Sequence, residues 1–236
     1  MKHTLILIAL FCLCLPVAAQ QHEPQAEKPP EHKLVQFQLA LLKRGPKPVP
    51  RGFQSSPLRQ QHFAYIQSLM ETGKVIIAGP LTGDAEVAGV LIFNTKSGDE
   101  ARNLINEDPL VRAGFFTPEL HPWWSEEVMK KTTTPGKTMT VYLAFLVRGE
   151  KWTPDKTPET EAIQKAHLAN IGRLAEMKKL VVAGPFGDDG TLRGIFVFRV
   201  DSLEEARSLA ETDPAVKAGR LALQIHPWVV PEGILP

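Results

Sequence analysis

Apolar and polar positions alternate and then merge along Leu34 Val35 Gln36 Phe37 Gln38 Leu39 Ala40 Leu41 Leu42. Such a run suits a strand that becomes buried. The segment from Met139 to Val147 reads the same way. Each is followed by a loop rich in Pro, Gly and basic residues that ends in Ser56 Pro57 or Thr157 Pro158. A hydroxyl N-cap with Pro at the first helical position marks a helix start. Beyond it, His62, Ile66 and Leu69, and again His167, Ile171 and Leu174, fall at i, i+4, i+7. They share one helix face, which puts each histidine on the apolar stripe.

The pattern then returns to strands. Lys74 to Ala78 and Val87 to Phe93 flank a turn containing Gly83 and Asp84, and the later copy carries Asp188 Asp189 Gly190, a turn whose Gly tolerates positive φ. A second helix starts at Ser97 with Glu100 three residues on, and at Ser202 with Glu205. Both read as capping boxes, in which hydroxyl and carboxylate satisfy each other's backbone N–H. After Asp108 Pro109 and Ala113 Gly114 a last strand runs to His121 Pro122 Trp123. The order β-α-β-β-α-β predicts an α+β ferredoxin-like sandwich with both helices on one face of an antiparallel sheet.

That pattern occurs twice. His62, Ala78 Gly79 Pro80, Asp108 Pro109, Ala113 Gly114 and His121 Pro122 Trp123 recur as His167, Ala183 Gly184 Pro185, Asp213 Pro214, Ala218 Gly219 and His226 Pro227 Trp228. The spacing is about 105 positions, and about 25 of 63 aligned residues are identical. A unit this long is a small domain rather than a solenoid repeat. The expected layout is domain 1 at 34–124, a linker at 125–138 rich in Lys, Thr, Pro and Gly, and domain 2 at 139–231.

The first residues add a destination. Lys2, the apolar stretch Leu5 to Leu15, Pro16 and the small residues Val17, Ala18 and Ala19 predict a signal peptide over 1–19 and an exported protein, periplasmic or secreted. Neither Cys12 after Phe11 nor Cys14 after Leu13 has the small preceding residue of a lipid-anchored signal. Residues 20–33 have the polar, Pro-rich composition of a solvated tether. Both cysteines precede residue 20, which leaves the remainder without disulfide, thiolate metal site or Cys nucleophile. Without Lys2 the basic residues fall from 27 to match the 26 acidic ones. That balance argues against nucleic acid or an anionic membrane as partner.

The His on the first helix, the Ala-Gly-Pro element before an Asp/Gly turn, Ser-x-x-Glu-Ala, Asp-Pro and the terminal Pro-Trp together resemble the YciI-like (YCII-related) domains, over both repeats nearly end to end. The resemblance implies a dimeric α+β barrel, two ferredoxin-like units packed sheet against sheet, here built within one chain as a pseudo-dimer. It also implies that His62 with Asp108, and His167 with Asp213, form candidate catalytic pairs. The resemblance implies a small cytoplasmic protein, and the expected signal peptide departs from that.

A carboxylate beside an imidazole fixes its tautomer and raises its basicity, as a general base requires. The plainer alternative is a buried His satisfied by a carbonyl. Asp108 and Asp213 also read as N-caps of a single turn with Pro at N1 and Gly past the end, and a carboxylate has oxygens for both tasks. His62, Asp108 and His121 lack the close spacing of a helix-borne metal site, so no metal or other cofactor is expected. His121 and His226 read as partly exposed edge histidines beside packed Trp residues that close the interface between the sheets. Gly79 and Gly184, before Pro, read as strand exits where a ligand approaches the backbone.

No phosphate loop, nucleophile elbow or HExxH is present. The expected function is acid/base chemistry, a proton transfer or elimination on a small organic molecule. The alternative is a non-catalytic module that binds a small ligand or peptide, with structural His and Asp. A third arrangement has one active and one degenerate repeat, for which Tyr65 against Asn170 and Phe116 against Leu221 are the visible differences.

Overall fold

The computed structural model describes residues 33–50, 52–83, 86–130 and 136–236. The expected signal peptide, all of the expected tether except Lys33, Asp84 of the first turn and residues 131–135 of the linker lie outside the described residues.

Repeat 1 contains β1 (Leu34–Arg44), α1 (Pro57–Glu71), β2 (Val75–Pro80), β3 (Val87–Phe93), α2 (Gly98–Asn106), the single turn α3 (Pro109–Arg112) and β4 (Phe116–Glu126). Repeat 2 contains β5 (Thr138–Arg148), α4 (Pro158–Glu176), β6 (Leu180–Pro185), β7 (Leu192–Phe198), α5 (Leu203–Ala210), α6 (Pro214–Lys217) and β8 (Leu221–Pro231). The sheets have the orders β2-β3-β1-β4 and β6-β7-β5-β8, antiparallel throughout. Each is a ferredoxin-like α+β unit, with its Asp-Pro element adding one helical turn before the last strand.

Sequence signals explain the helix starts, with one correction. Ser56 Oγ accepts from Arg59 N, and Thr157 forms a complete capping box with Thr160. Ser97 and Ser202 also accept from the N3 backbone N–H, but the expected reciprocal bonds do not form. Glu100 instead binds Thr95 and Lys74, and Glu205 accepts from Asp201 N and from Lys179. A lysine at the start of the neighbouring strand offers a charge-assisted bond that outcompetes the N-cap amide. Gly190 likewise does not adopt positive φ. Asp188 Oδ1 accepts from Gly190 N at 3.1 Å, so an Asx turn shapes this tip.

The two sheets close on each other. Leu81 bridges to Trp228 and Trp123 bridges to Phe186, while Thr82 N donates to Pro227 O and Gly187 N to Pro122 O. Each sheet edge is thus met by a single bridge and a few hydrogen bonds from the other repeat, which partly cover the open edges. Trp123 and Trp228 are fully buried, and their indole N–H groups donate to Gly184 O and Gly79 O at 3.1 and 3.0 Å. The expected interfacial role of the Trp pair is what the structure shows. One apolar core, with Leu39, Ile77 and Ile92 from repeat 1 and Leu143, Ile195 and Val197 from repeat 2, fills the space between the sheets. Two smaller cores lie between each sheet and its helices.

At Gly79 and Gly184, expected as places where a ligand approaches, protein backbone comes close. A Cβ on Gly79 would stand 1.8 Å from Val229 O, and one on Gly184 1.8 Å from Trp124 O. The backbone of the other repeat makes the close approach at both glycines, and Gly79 also lines the cavity beside His62.

Candidate active site

Ile66 and Leu69 are buried against the sheet of repeat 1 and anchor α1. One turn before Ile66 the same face carries His62, whose side chain is 12 % exposed and whose ring contacts Phe63 and Phe116 at centroid distances of 5.3 and 5.8 Å. Asp108, fully buried, is the N-cap of α3. Its Oδ1 accepts from Leu110 N at 2.8 Å, and its Oδ2 lies 2.6 Å from His62 Nδ1. An ionised carboxylate only accepts, so Nδ1 carries the imidazole proton and Nε2 presents the lone pair. Nε2 has no protein hydrogen-bond partner among the described residues.

His167 and Asp213 repeat the arrangement with extra ties. His167 Nδ1 lies 2.9 and 2.8 Å from the two oxygens of Asp213, and Asp213 Oδ1 also accepts from Ala215 N. Asn170 donates to Asp213 Oδ2 at 3.2 Å. Asn170 Oδ1 in turn accepts from Arg173 at 2.7 Å and from Thr212 at 3.2 Å, while Arg173 also reaches Thr212. In repeat 1 the corresponding Tyr65 turns away and donates to Leu104 O at 2.8 Å. Burial and the nearby Glu107 and Asp108 push the Tyr65 pKa up. The sequence reading passed over Asn170 and Arg173 as partners. Their signal was the spacing, since His167, Asn170, Arg173 and Leu174 fall on one helix face.

A cavity of about 1030 Å³ adjoins His62. It follows α1 from Arg59 to Glu71, passes β2 and β3, and ends at Val229–Pro231 and Ile234 of repeat 2. Its wall is mainly apolar, including Phe63, Ile66, Met70 and Phe116, with charged groups such as Glu71, Lys130 and Lys137 at the far end. The site is therefore built by both repeats.

The expectation for His121 is corrected. It is buried, with Nδ1 2.6 Å from Asp188 Oδ2 and Nε2 2.8 Å from Glu119 Oε1, and Glu119 also pairs with Lys43 at 2.6 Å. Burial raises the Glu119 pKa, but the bonds from Lys43 and His121 outweigh it and hold the carboxyl below its ordinary value. The same bond to Glu119 raises Lys43. His226 has Gln224 and Gly83 where His121 has Glu119 and Asp188. It is half-buried against Phe145, and burial lowers its pKa. Among the described residues no cluster of three or more His, Cys, Asp or Glu is arranged to hold a metal ion, and no helix is long and apolar enough to cross a membrane.

Residues 38–123 and 144–229 each match the model of the YCII-related domain. The chain belongs to the YCII-related domain family. The uncharacterized protein YjpA of Bacillus subtilis (strain 168) is 33 % identical over 90 residues, covering 38 % of this chain and 95 % of YjpA. One repeat here thus corresponds to nearly a whole relative. Among solved structures, a haem-binding protein from Thermus thermophilus superposes with a TM-score of 0.54 at 13 % identity, covering 84 % of this chain and 92 % of that one. Chlorite dismutase from Candidatus Nitrospira defluvii in complex with imidazole gives 0.53 at 12 %, covering 83 % and 90 %. At such identity the likeness is one of fold. It places this YCII-related pair among the dimeric α+β barrels.

Proposed function

We propose that this is an exported enzyme that carries out general acid/base chemistry, a proton transfer or elimination, on a small organic molecule with a largely apolar body. His62 acts through Nε2, and Asp108 holds the ring and stabilises the imidazolium formed when Nε2 takes a proton. The observation that carries this reading is the 2.6 Å bond between His62 Nδ1 and Asp108 Oδ2 on a residue lining the cavity. The aromatic rings of Phe63 and Phe116 beside His62 favour an apolar substrate.

We assign this role to repeat 1. His167 and Asp213 have the same bond, but Asn170 also donates to Asp213 and is itself held by Arg173 and Thr212, which ties the second pair into a polar network. The second pair serves the packing of α4 on α6. In the alternative, a non-catalytic binding module, the same cavity holds its ligand unchanged.

The test is solvent-deuterium incorporation, followed by NMR, across a panel of apolar carbonyl and hydroxy compounds. The acid/base reading expects exchange or elimination that His62→Ala abolishes and His167→Ala retains. Compounds that bind but never exchange would leave the binding-module reading, and equal loss in both variants would overturn the division of labour.

A further inference from the structure

Repeat 2 carries a cationic cluster that the site above does not use. The guanidinium carbons of Arg148, Arg193 and Arg220 lie 5.5, 4.7 and 5.3 Å from the centroid of one indole ring, that of Trp152. Any two of these charges are therefore within about 11 Å of each other, close to one screening length in ordinary buffer. Three loops bring them together. Trp152 lies after β5, Arg193 follows the β6–β7 turn, and Arg220 follows α6. The backbone ties Gly149 N to Arg220 O and Lys151 N to Gly219 O, both at 2.9 Å, so Lys151 belongs to the same face.

No carboxylate among the described residues stands within ion-pair distance of any of the three arginines. Arg148 donates to Asp189 O, Arg193 to Asp188 O and Gly190 O, and Arg220 to Thr153 O, all backbone carbonyls. Of the acids near the cluster in sequence, Asp188 gives one oxygen to His121 and the other to Gly190 N, Asp155 accepts from Thr153, and Glu150 and Asp189 form no ion pair with the three arginines. The Nε of Arg193 is buried and has no hydrogen-bond partner. A buried donor left unpaired is costly, and cation–π contacts with one ring only partly offset the repulsion among three cations.

Among its described residues repeat 1 has nothing comparable. Superposing the two Gly bonds that follow the first strands, Gly45 N to Phe115 O and Gly149 N to Arg220 O, sets Arg44, Pro48, Ala88 and Phe115 against Arg148, Trp152, Arg193 and Arg220. There the ring of Phe115 packs on Phe53 at 5.1 Å. The cluster is thus a feature of repeat 2 and not a requirement of the fold.

We propose that Arg148, Arg193 and Arg220, gathered against the Trp152 ring, form a binding site for a tetrahedral oxyanion, a phosphate group. One phosphate offers enough acceptor oxygens to engage two guanidinium forks at once, which neutral water does not.

Trp152 supplies the readout. Inorganic phosphate and phenyl phosphate are titrated into the full chain at constant ionic strength, with tryptophan fluorescence and the unfolding midpoint recorded. Phosphate is expected to shift both, with chloride at matched ionic strength shifting neither. A tighter response to phenyl phosphate identifies an ester group as the ligand, and an equal response identifies the free ion. Arg193→Ala and Arg220→Ala each weaken binding by about tenfold or more, while Arg44→Ala leaves it unchanged. Trp152→Phe abolishes the fluorescence change but keeps the phosphate-dependent rise in midpoint. An equal rise with chloride overturns the proposal, as does unchanged phosphate affinity in folded Arg193→Ala and Arg220→Lys variants.

Discussion

Asp108 gives one carboxylate oxygen to His62 and the other to the first turn of α3. The geometry of the candidate base is thereby fixed by a helix cap, and the two tasks separate by substitution. Asp108→Asn keeps a good N-cap, because Asn and Asp are equivalent there, but replaces one acceptor with an amide donor facing His62 Nδ1. It is expected to cost about 1–2 kcal/mol of stability and most of the His62-dependent activity. Asp108→Ala loses cap and partner together and should cost about 2–4 kcal/mol. Urea unfolding beside the exchange assay distinguishes the two, and equal losses of stability would show that the cap contributes nothing.

Closure of the barrel rests on contacts that tolerate no added carbon. Gly184→Ala must displace Trp124 O, which a Cβ would meet at 1.8 Å. The expected outcome is loss of more than about 3 kcal/mol or failure to fold. Trp228→Phe is gentler. It leaves Gly79 O without its indole donor and a small void in the central core, for an expected loss of about 2–3 kcal/mol in chemical denaturation.

Burial lowers the pKa of His226, so the unfolded chain takes up that proton at higher pH than the folded one. The stability it contributes is fully present above its ordinary value, near pH 6.5, and is lost as pH falls below it. Glu119, held below its ordinary value, contributes above the carboxylate range and loses that contribution only at lower pH. The unfolding midpoint should therefore fall between about pH 6.5 and 5. His226→Gln should flatten that fall while leaving the steeper loss nearer pH 4.

The cavity can be filled without touching the His–Asp pair. Ala78 lines it from β2, and Ala78→Phe should abolish binding of an apolar fluorescent probe with about 1–2 kcal/mol lost or less. Unchanged probe binding would place the ligand elsewhere.

Much of this fold was legible because local chemistry and tertiary structure agree. Ser56 Pro57, Thr157 Pro158 and the Asp-Pro turns carry their caps in the sequence, and the repeat fixed the topology twice over. What escaped lies between the repeats. Gly79 announced that something comes close, but only the folded barrel shows that it is the backbone of Val229. His121 read as an edge residue because one of its two partners, Asp188, stands in the other repeat at a place where repeat 1 has Gly83. Duplication directs attention to what is shared, and these interactions depend on what is not.

The linker between the halves has a consequence for what the barrel can become. In a barrel made from two identical chains, a two-fold axis imposes every substitution on both halves, so a helpful charge at one rim is copied to the other. Covalent joining lifts that obligation and keeps the halves at high effective concentration whatever their differences. Gly83 against Asp188, Tyr65 against Asn170 and Ala88 against Arg193 are differences that a homodimer could not hold. One half is thus free to keep an open cavity while the other gathers charge.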